Sequence, residues 1–198
     1  NFFGARARKA LKYAEILAGQ GIDWGLIGPG ESERIWERHI ENCLPVTSLI
    51  PKSGKGLSCA DIGSGAGLPG IVIALTHPDL EVTLIEPIPR RAQFLTETLA
   101  QLDLGEDGLE PQVVKAKSES VRGSFDYVTA RAVAPLMRLI PQTWHLVKPG
   151  GSLLAIKGAS VEGEMKDLSL PQGAKMTLHE INLDDLPTGR VVEIVKAG

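Results

Sequence analysis

The sequence predicts an α/β protein built on a doubly wound, mostly parallel sheet that ends in an antiparallel hairpin. From residue 57 onward, short runs rich in Val, Ile and Leu alternate with stretches of helical periodicity. The last two strand-like runs, "AKMTLHEINL" and "GRVVEIVKA", are joined only by "DDLPT". That connection is too short for a helical crossover, so the last two strands should be antiparallel. Seven strands are therefore expected, the first five of them parallel.

A helical segment precedes the alternating region. "ARARKALKYAEILAGQGI" places alanine and leucine at helical spacing and is expected to stop at Gly19 and Gly21. A second helix, "ERIWERHIENCL", is expected to end at Pro45. The chain thus divides into an N-terminal helical extension, residues 1–52, and a domain that contains the sheet, residues 53–198.

The five parallel strands are expected at "GLSCADIG", "EVTLIEP", "EPQVVKA", "FDYVTARA" and "SLLAIKG". The helices between them are "LPGIVIALTHP", "RRAQFLTETLAQLDL" and "APLMRLIPQTWHLV". Short strands that are apolar throughout indicate a sheet covered on both faces. "LVKPGGSLLAIKG" predicts a helix end, a tight Pro-Gly-Gly turn and then the fifth strand.

Composition limits the classes of protein that the chain can belong to. A length of 198 residues with 43% hydrophobic residues suffices for one good core. No apolar run approaches the ~18 residues that a membrane-spanning helix needs, so no membrane partner is expected. The only cysteines, Cys43 and Cys59, lack the spacing of a disulfide framework or a zinc site, which favours a reducing cytoplasm. Because the helical pattern is already established near Asn1, we expect further residues to precede it in the natural protein.

Positive charge is concentrated in two segments of a chain whose net charge is -3. Residues 1–12 carry four basic side chains and no acid, and residues 122–157 carry five basic side chains against Asp126 alone. A local basic face on an acidic protein fits an RNA substrate. Ordinary solvated lysines and arginines fit the same pattern.

The segment "CADIGSGAGLPG", residues 59–70, places four glycines directly behind Asp61. A P-loop is excluded because the glycines are not followed by Gly-Lys-Ser/Thr, whereas a dinucleotide pattern is satisfied from Gly65 onward. Asp61 can meet a cationic or amino-bearing ligand group, and Glu86 at the end of the next strand is placed to bind both ribose hydroxyls. These residues indicate a nucleoside ligand and leave its type open.

Read together, these features resemble the class I S-adenosylmethionine-dependent methyltransferases, whose Rossmann-like fold ends in an antiparallel hairpin and often carries "KPGG". The segments "ADIGSGAGLPGIVIAL", "LIEPIPRRAQFL", "AKSESV", "FDYVTARAVAPL" and "LLAIKG" resemble the bacterial RsmG (GidB) family in particular. "RHIENCL" resembles that family's R-H-I-x-D-S-[LI] segment. Members of the family are 16S ribosomal RNA guanine-N7 methyltransferases.

The resemblance implies a reaction and its partners. S-adenosylmethionine is the expected cofactor and S-adenosylhomocysteine its product, with no metal. The expected acceptor is one guanosine in the 530 loop of the 16S ribosomal RNA, position 527 in the usual RNA numbering. Free RNA or the small ribosomal subunit is the expected partner, and a monomer is the expected state of the protein.

The resemblance also implies roles for individual residues. Arg131 and Lys157, which end the fourth and fifth strands, are the expected catalytic residues. Cofactor contacts are expected from Asp61, Gly63, Ser64, Gly65, Gly67, Leu68, Glu86, Lys117, Ser118, Glu119 and Arg131. RNA contacts are expected from Arg34, Arg38, His39, Arg90, Arg91, Lys157 and Arg190.

Several RNA candidates also have a structural interpretation. A histidine on an apolar helical face, such as His39, is often simply packed. Arg34 and Arg38 each have a glutamate three residues further on and can form solvated ion pairs. Arg90 and Arg91 begin a helix, where cations oppose the helix dipole. Their position fits a contact with phosphate or with the ribose-binding acid.

The expected chemistry needs no general base, because N7 of guanine already carries a free lone pair that can attack the sulfonium methyl. Catalysis can then rest on alignment. A donor on N7 would block the reaction, so Arg131 is expected to hold O6, a phosphate or the methionine carboxylate. The alternatives are an S-adenosylmethionine methyltransferase that acts on another RNA or on a small molecule, and, less favoured, an NAD-dependent oxidoreductase. A non-catalytic RNA chaperone or regulator that binds the cofactor is a further alternative.

Overall fold

A computed structural model describes residues 2–166, 168–184 and 186–198. One seven-stranded sheet has the strand order β3-β2-β1-β4-β5-β7-β6. Strands β1 to β5 pair in parallel, whereas β7 is antiparallel to both β5 and β6. The predicted fold is therefore confirmed, including the hairpin. The strands are β1 Ser58–Ile62, β2 Glu81–Ile85, β3 Gln112–Val114, β4 Phe125–Arg131, β5 Val147–Lys157, β6 Lys175–Ile181 and β7 Gly189–Val195.

Helices cover both faces of this sheet, as the apolar strands require. The α-helices are α1 Ala7–Ile16, α2 Leu44–Thr47, α3 Gly70–Thr76, α4 Pro89–Leu102, α5 Leu136–Thr143 and α6 Val161–Lys166. The three helices predicted between the strands correspond to α3, α4 and α5. The sequence did not predict α6, a short helix of six residues that follows β5.

The N-terminal segment departs from the prediction of two regular helices. The first helical path continues through Gly19 and Gly21 in a π-helical turn, Leu17–Gly21, so the expected stop there is wrong. The second helix is broken into short turns, and Pro45 lies inside α2 instead of ending a helix. Proline fits the first turn of a helix because the N–H group that it lacks has no partner there. The short turns are Pro29–Arg34, Trp36–Ile40 and Glu41–Cys43.

The Pro-Gly-Gly segment is not a turn before the fifth strand, because β5 already begins at Val147. Its pairing with β4 shifts between Phe125↔Val147 and Tyr127↔Ser152, so the segment forms an irregularity within the strand. Gly150 there has φ +77°, which favours glycine, and its N–H donates to the Lys196 carbonyl at 3.0 Å. The prediction placed the strand start too late.

Residues of the N-terminal segment share a hydrophobic cluster with the sheet domain. Tyr13 and Leu17 belong to the same buried cluster as Ile71, Leu75 and Phe94. A second cluster, which includes Val128, Leu139 and Leu153, covers the other face of the sheet. The described residues 2–52 therefore contribute to the same core as the sheet domain.

Basic residues near the N-terminus attach this segment to the domain. Arg6 is 3% exposed and donates hydrogen bonds of 2.7 Å to the carbonyls of Ala74 and Leu104. It also forms an ion pair with Asp107 at 2.7 Å. Lys9 and Lys12 donate to carbonyls at the end of α4 and just beyond it. Three of the four basic side chains in residues 1–12 thus have structural partners, which removes most of the positive face that the sequence suggested there.

None of the helices in the described part of the chain combines the length and the apolar character needed to cross a membrane.

Candidate functional site

The predicted functional residues meet at the carboxyl edge of the parallel strands. Gly63 follows β1, Glu86 follows β2 and Ser118 begins the turn after β3, while Arg131 ends β4 and Lys157 ends β5. Strands β1 and β4 are neighbours in the sheet although they are not consecutive in the chain. Open α/β sheets bind ligands at such a topological switch point.

The glycine loop between β1 and α3 exposes its backbone mainly at Gly63 and Gly65, which are partly exposed, while Ser64, Gly67 and Leu68 are buried. Gly65 has φ +56°, and a Cβ added there would meet no atom nearer than 3.8 Å. Its bare backbone therefore faces open space. Gly67 differs, because an added Cβ would overlap the Ile71 side chain. A ligand can approach the loop closely at Gly65.

Glu86 lies beneath this loop and is 1% exposed. Its Oε2 accepts a hydrogen bond of 2.9 Å from the Gly65 N–H, and its Oε1 accepts one of 2.9 Å from the Ile88 N–H. Each oxygen of this buried carboxylate therefore already accepts one backbone N–H, and contact with ribose hydroxyls stays a prediction. The predicted ribose acid thus also fixes the glycine loop.

Asp61 is fully buried, and its described partners belong to the protein. Its Oδ2 accepts a hydrogen bond of 3.0 Å from the Gly70 N–H, and Thr129 Oγ1 lies 3.4 Å from its Oδ1. Burial raises the pKa of Asp61 to about 7, against the opposing effect of these hydrogen bonds. The expected contact between Asp61 and a ligand stays a prediction. The side chain holds the start of α3 against β1.

The segment after β3 lies beside Glu86 in the sheet order. Ser118 is buried and donates a 3.1 Å hydrogen bond to Glu119 Oε2, while Lys117 and Glu119 are exposed. The 3₁₀ turn Ser118–Ser120 holds these groups at the same edge as the glycine loop. The predicted adenine-binding segment is thus placed near the predicted ribose acid.

Arg131 connects the end of β4 to the N-terminal segment. Its Nη1 donates to the His39 carbonyl at 3.2 Å and to Cys43 Sγ at 3.3 Å, and its Nη2 donates to the Arg38 carbonyl at 3.4 Å. Burial and the Arg131 guanidinium lower the pKa of His39, so this imidazole favours its neutral form. Arg131 therefore positions the segment that contains Arg38 and His39 at the edge of the sheet.

A cleft of about 640 Å³ opens next to Arg131, at the ends of β4, β5 and β7. We call this the acceptor cleft; it is lined by residues 131–135, 156–158 and 188–190 together with Asn42 and Glu164. Ala132, in its wall, has φ +53°, a left-handed conformation that is costly for a residue with a side chain. Strain of this kind clusters at functional sites, which agrees with the position of the cleft.

The acceptor cleft contains an ion pair between Lys157 and Glu164. Lys157 was predicted as a site residue, whereas Glu164 was not. Lys157 Nζ lies 2.7 Å from Glu164 Oε2 and 3.0 Å from the Ala134 carbonyl. The Leu136 N–H donates to the same Glu164 oxygen at 3.0 Å. Burial opposes ionisation of Glu164, but the bonds from Lys157 and Leu136 hold its pKa below the usual value. Glu164 lies on the unpredicted α6, and no motif marked it.

Arg190 adds a further cation to the cleft from the antiparallel part of the sheet. It pairs directly with Lys157 across β5 and β7. Its Nε donates to Glu180 Oε1 at 3.0 Å. The Glu180 carboxylate partly offsets the repulsion between the positive charges of Lys157 and Arg190. The cleft therefore brings together Arg131, Lys157 and Arg190, three of the predicted site residues.

Two predicted RNA-binding arginines form exposed ion pairs. Arg34 lies 3.3 Å from Glu37, as its spacing predicted, whereas Arg38 pairs with Glu31 at 2.8 Å and not with Glu41. Exposed pairs of this kind are weak and exchange readily with a phosphate. Both arginines can therefore serve RNA without loss of a buried contact.

The other RNA candidates occupy different environments. His39 Nε2 lies 3.3 Å from Glu31 Oε2 but without the alignment of a hydrogen bond. Arg90 stacks on the Trp24 ring, with 5.6 Å between its guanidinium carbon and the ring centroid. Arg91 is exposed at the start of α4. Arg90 and Arg91 thus lie at the end of α4 that follows Glu86, on the glycine-loop side of the sheet.

Tyr13 is a residue of the site that sequence reasoning did not find. Its hydroxyl donates a 2.9 Å hydrogen bond to the Ala66 carbonyl in the glycine loop. The side chain is fully buried, and burial raises the pKa of its hydroxyl. In the sequence Tyr13 is one more apolar position of α1, so no local signal could distinguish it.

Within the described ranges, no group of three or more His, Cys, Asp or Glu side chains is arranged to hold a metal ion.

The strand order, the glycine loop behind β1 and the acidic residue behind β2 define the class I methyltransferase fold. A solved structure of magnesium protoporphyrin IX methyltransferase from Synechocystis PCC 6803 shares it, with a TM-score of 0.63 at 15% identity over 96% of this chain and 97% of that one. A methyltransferase from Pyrococcus furiosus has a TM-score of 0.59 at 14% identity, covering 77% of this chain and 81% of the other. At these identities the likeness concerns the fold alone.

Sequence relatives narrow the class to one family. A family model described as rRNA small subunit methyltransferase G matches residues 6–187. A protein named ribosomal RNA small subunit methyltransferase G from Acidothermus cellulolyticus is 48% identical over 165 residues, 83% of this chain and 71% of its own. One of the same name from Thermobifida fusca is 48% identical over 167 residues, 83% of this chain and 68% of its own. The chain therefore belongs to the rRNA small subunit methyltransferase G family, which confirms the resemblance.

Proposed function

We propose that this chain transfers a methyl group from S-adenosylmethionine to N7 of a guanosine in the 530 loop of 16S ribosomal RNA. The observation that carries this proposal is the contact between the glycine loop and the acceptor cleft. A Cβ added to Gly63 would come within 3.0 Å of Val133, which lines the cleft. A cofactor on the loop and a base in the cleft would therefore be neighbours.

The residues of the loop fit a nucleoside cofactor. The Gly65 backbone is open to close approach, and Glu86 offers carboxylate lone pairs directly beneath it. Ser118, Glu119 and Lys117 supply polar groups on the side where the adenine would lie. No phosphate-binding lysine follows the glycines, which agrees with a cofactor that has no phosphate.

The proposed reaction is a direct displacement. S-adenosylmethionine supplies a methyl group bound to a positively charged sulfur. The N7 lone pair forms a bond to the methyl carbon while the carbon–sulfur bond breaks and its electrons remain on sulfur. The positive charge passes to the purine, and no proton moves. The chain's own contribution is to align the base and to keep hydrogen-bond donors away from N7.

Individual residues have definite roles in this scheme. Lys157 lies inside the cleft and can donate to guanine O6, which leaves N7 free. Arg131 can donate to a phosphate or to the methionine carboxylate, and it also fixes the segment of Arg38 and His39. Around the cleft and the loop, RNA contacts are proposed for Arg34, Arg38, His39, Arg90, Arg91, Lys157 and Arg190.

The test is methyl transfer to small ribosomal subunits from a bacterial strain that lacks the N7 methyl group. Tritiated S-adenosylmethionine should label the 530 loop, and reduction followed by aniline cleavage should cut the RNA at the modified guanosine. Subunits that already carry the methyl group are the matched control and should accept no label. Free 16S RNA, tested in parallel, identifies the form of the substrate.

The alternatives give different results. Label at another nucleotide would retain an RNA methyltransferase but reject the proposed acceptor. A thermal shift with NAD and none with S-adenosylmethionine would favour the oxidoreductase that the glycine pattern also permits. Binding of S-adenosylmethionine without transfer to any RNA would favour a non-catalytic role.

A further inference from the structure

The acceptor cleft contains a donor and an acceptor side by side. Lys157 Nζ and Glu164 Oε2 lie 2.7 Å apart, and both residues line the cleft. Glu164 is the only acid among the described residues that line it, against Arg131, Lys157 and Arg190. A cleft that serves only to bind phosphate would gain nothing from a carboxylate, so this acid calls for another explanation.

The pair matches one edge of guanine. The Watson–Crick edge of guanine presents the O6 acceptor beside the N1–H and N2–H₂ donors. Lysine only donates and an ionised glutamate only accepts, so Lys157 fits O6 and Glu164 fits the two donors. Adenine has an amino donor in place of O6 and an acceptor in place of N1–H. With adenine, Lys157 would face the amino donor and Glu164 would face the N1 acceptor. Neither contact could form, so adenine would be rejected.

We infer that Glu164, together with Lys157, reads the Watson–Crick edge of the target guanine and so determines which base enters the cleft. This inference rests on the proposed function and adds a specificity-determining residue to it. The base would then be held from the side opposite N7. That orientation leaves N7 free to face the glycine loop.

One oxygen of Glu164 is available for this contact. The hydrogen bonds that Glu164 accepts from described residues, Leu136 N–H at 3.0 Å and Lys157 Nζ at 2.7 Å, both go to Oε2. Oε1 keeps two lone-pair positions, enough for N1–H and one N2–H of a single base. The Leu136 and Lys157 bonds also fix the carboxylate, so little side-chain freedom is lost when a base binds.

The charge of Glu164 fits the reaction as well. Methyl transfer places a positive charge on the purine, which makes N1–H a stronger donor. A carboxylate on that edge therefore binds the base more tightly in the transition state than before the reaction.

The test compares guanosine with inosine at the target position of the small-subunit RNA. Inosine keeps N7, O6 and N1–H and lacks only the N2 amino group. The RNA is made by splinted ligation, assembled into subunits, and methylated by the full chain with tritiated S-adenosylmethionine. The unmodified chain should prefer guanosine by roughly tenfold to a hundredfold in kcat/KM.

Variants assign the preference to Glu164. Glu164→Ala should reduce the guanosine-to-inosine ratio to about one, because no acceptor remains for the amino group. Glu164→Gln keeps the shape and should reduce the ratio in part. Glu162→Gln is the matched control, since Glu162 is exposed on the same helix, and it should keep the ratio of the unmodified chain.

The outcomes separate this inference from the proposed function. Equal rates on guanosine and inosine would overturn the inference and leave the methyltransferase intact. An unchanged ratio in both Glu164 variants would show that Glu164 only supports α5 and Lys157, which also overturns it. Failure to methylate guanosine at all would overturn the proposed function, and the inference with it. The first comparison needs no variant, so a variant that does not fold cannot prevent a decision.

Discussion

The Tyr13 hydroxyl donates a 2.9 Å hydrogen bond to the Ala66 carbonyl, so α1 holds the glycine loop from its buried side. Glu86, which is also buried, holds the adjacent residue, because its carboxylate accepts a hydrogen bond from the Gly65 N–H. Two neighbouring loop residues are thus fixed by groups that are distant in sequence. The shape of the loop depends on the N-terminal segment as much as on its own glycines.

Replacement of Tyr13 by Phe should therefore weaken both the fold and cofactor binding. The change leaves the buried Ala66 carbonyl without its partner, which should cost about 1–3 kcal/mol of unfolding free energy. The dissociation constant for S-adenosylmethionine should rise roughly tenfold, because the loop loses one of its two supports. Urea unfolding and titration calorimetry measure the two effects. Tyr127→Phe is the control, and equal behaviour of the two variants would contradict the prediction.

Glu86→Gln should weaken cofactor binding more strongly. An amide replaces an oxygen that accepts from Gly65 or Ile88 with an NH₂ group, which places two donors against each other. We expect the dissociation constant for S-adenosylmethionine to rise by about tenfold to a hundredfold. Glu81→Gln, at the exposed first position of β2, should bind like the unmodified chain. Unchanged affinity of Glu86→Gln would show that this acid does not serve the cofactor.

The buried Asp61 should make stability depend on pH. Its pKa is about 7 in the folded chain against an ordinary value of 3.8, so the folded chain keeps a proton that the unfolded chain releases. The stabilisation is complete at low pH and is lost as the pH rises toward the folded pKa. Between pH 5 and pH 8 the unfolding free energy should fall by roughly 3 kcal/mol more in the unmodified chain than in Asp61→Asn.

Urea unfolding of the unmodified chain and of Asp61→Asn across this pH range measures the difference. Asp79→Asn, at an exposed position, is the control and should follow the unmodified chain. Parallel profiles for the unmodified chain and Asp61→Asn would show that burial does not hold a proton on this side chain.

Arg131→Lys should show whether the acceptor cleft depends on the positive charge of residue 131 or on the planar shape of the guanidinium group. Lysine keeps the positive charge but lacks the planar fork that reaches the carbonyls of His39 and Arg38 and the thiol of Cys43 together. The variant should lose about 1–2 kcal/mol of unfolding free energy and most of its methyl transfer. Thermal unfolding and kcat/KM on small subunits provide the readouts. Arg138→Lys on the exposed side of α5 should match the unmodified chain in both, and full activity of Arg131→Lys would reject the geometric role.

The sequence predicted the sheet well because strand position follows from local apolar runs. The hairpin was predictable because five residues cannot form a crossover. The ends of β1, β2, β4 and β5 then placed Gly63, Glu86, Arg131 and Lys157 at one edge without any further information.

The errors have a common physical origin. The turns at Gly19, Gly21 and Pro45 are decided by packing against the domain, which overrides the usual preference of these residues to stop a helix. Tyr13 bonds to Ala66 and Glu164 accepts from Leu136, both distant in the chain, so the neighbours of Tyr13 and Glu164 in sequence carry no sign of these contacts. Long-range contacts of single side chains are what periodicity cannot reveal.

Arg190 lies opposite Lys157 in the pairing of β5 and β7, so the positive charge of the acceptor cleft depends on the register of β7. A shift of β7 by one residue would turn Arg190 to the other face of the sheet and bring Gly189 or Val191 into its place. The same shift would move Val191 and Val192 out of the two hydrophobic clusters, on opposite faces of the sheet, into which they now pack. A copy of the chain with mispaired strands would thus lose both stability and affinity for RNA. RNA would therefore bind preferentially to correctly folded copies.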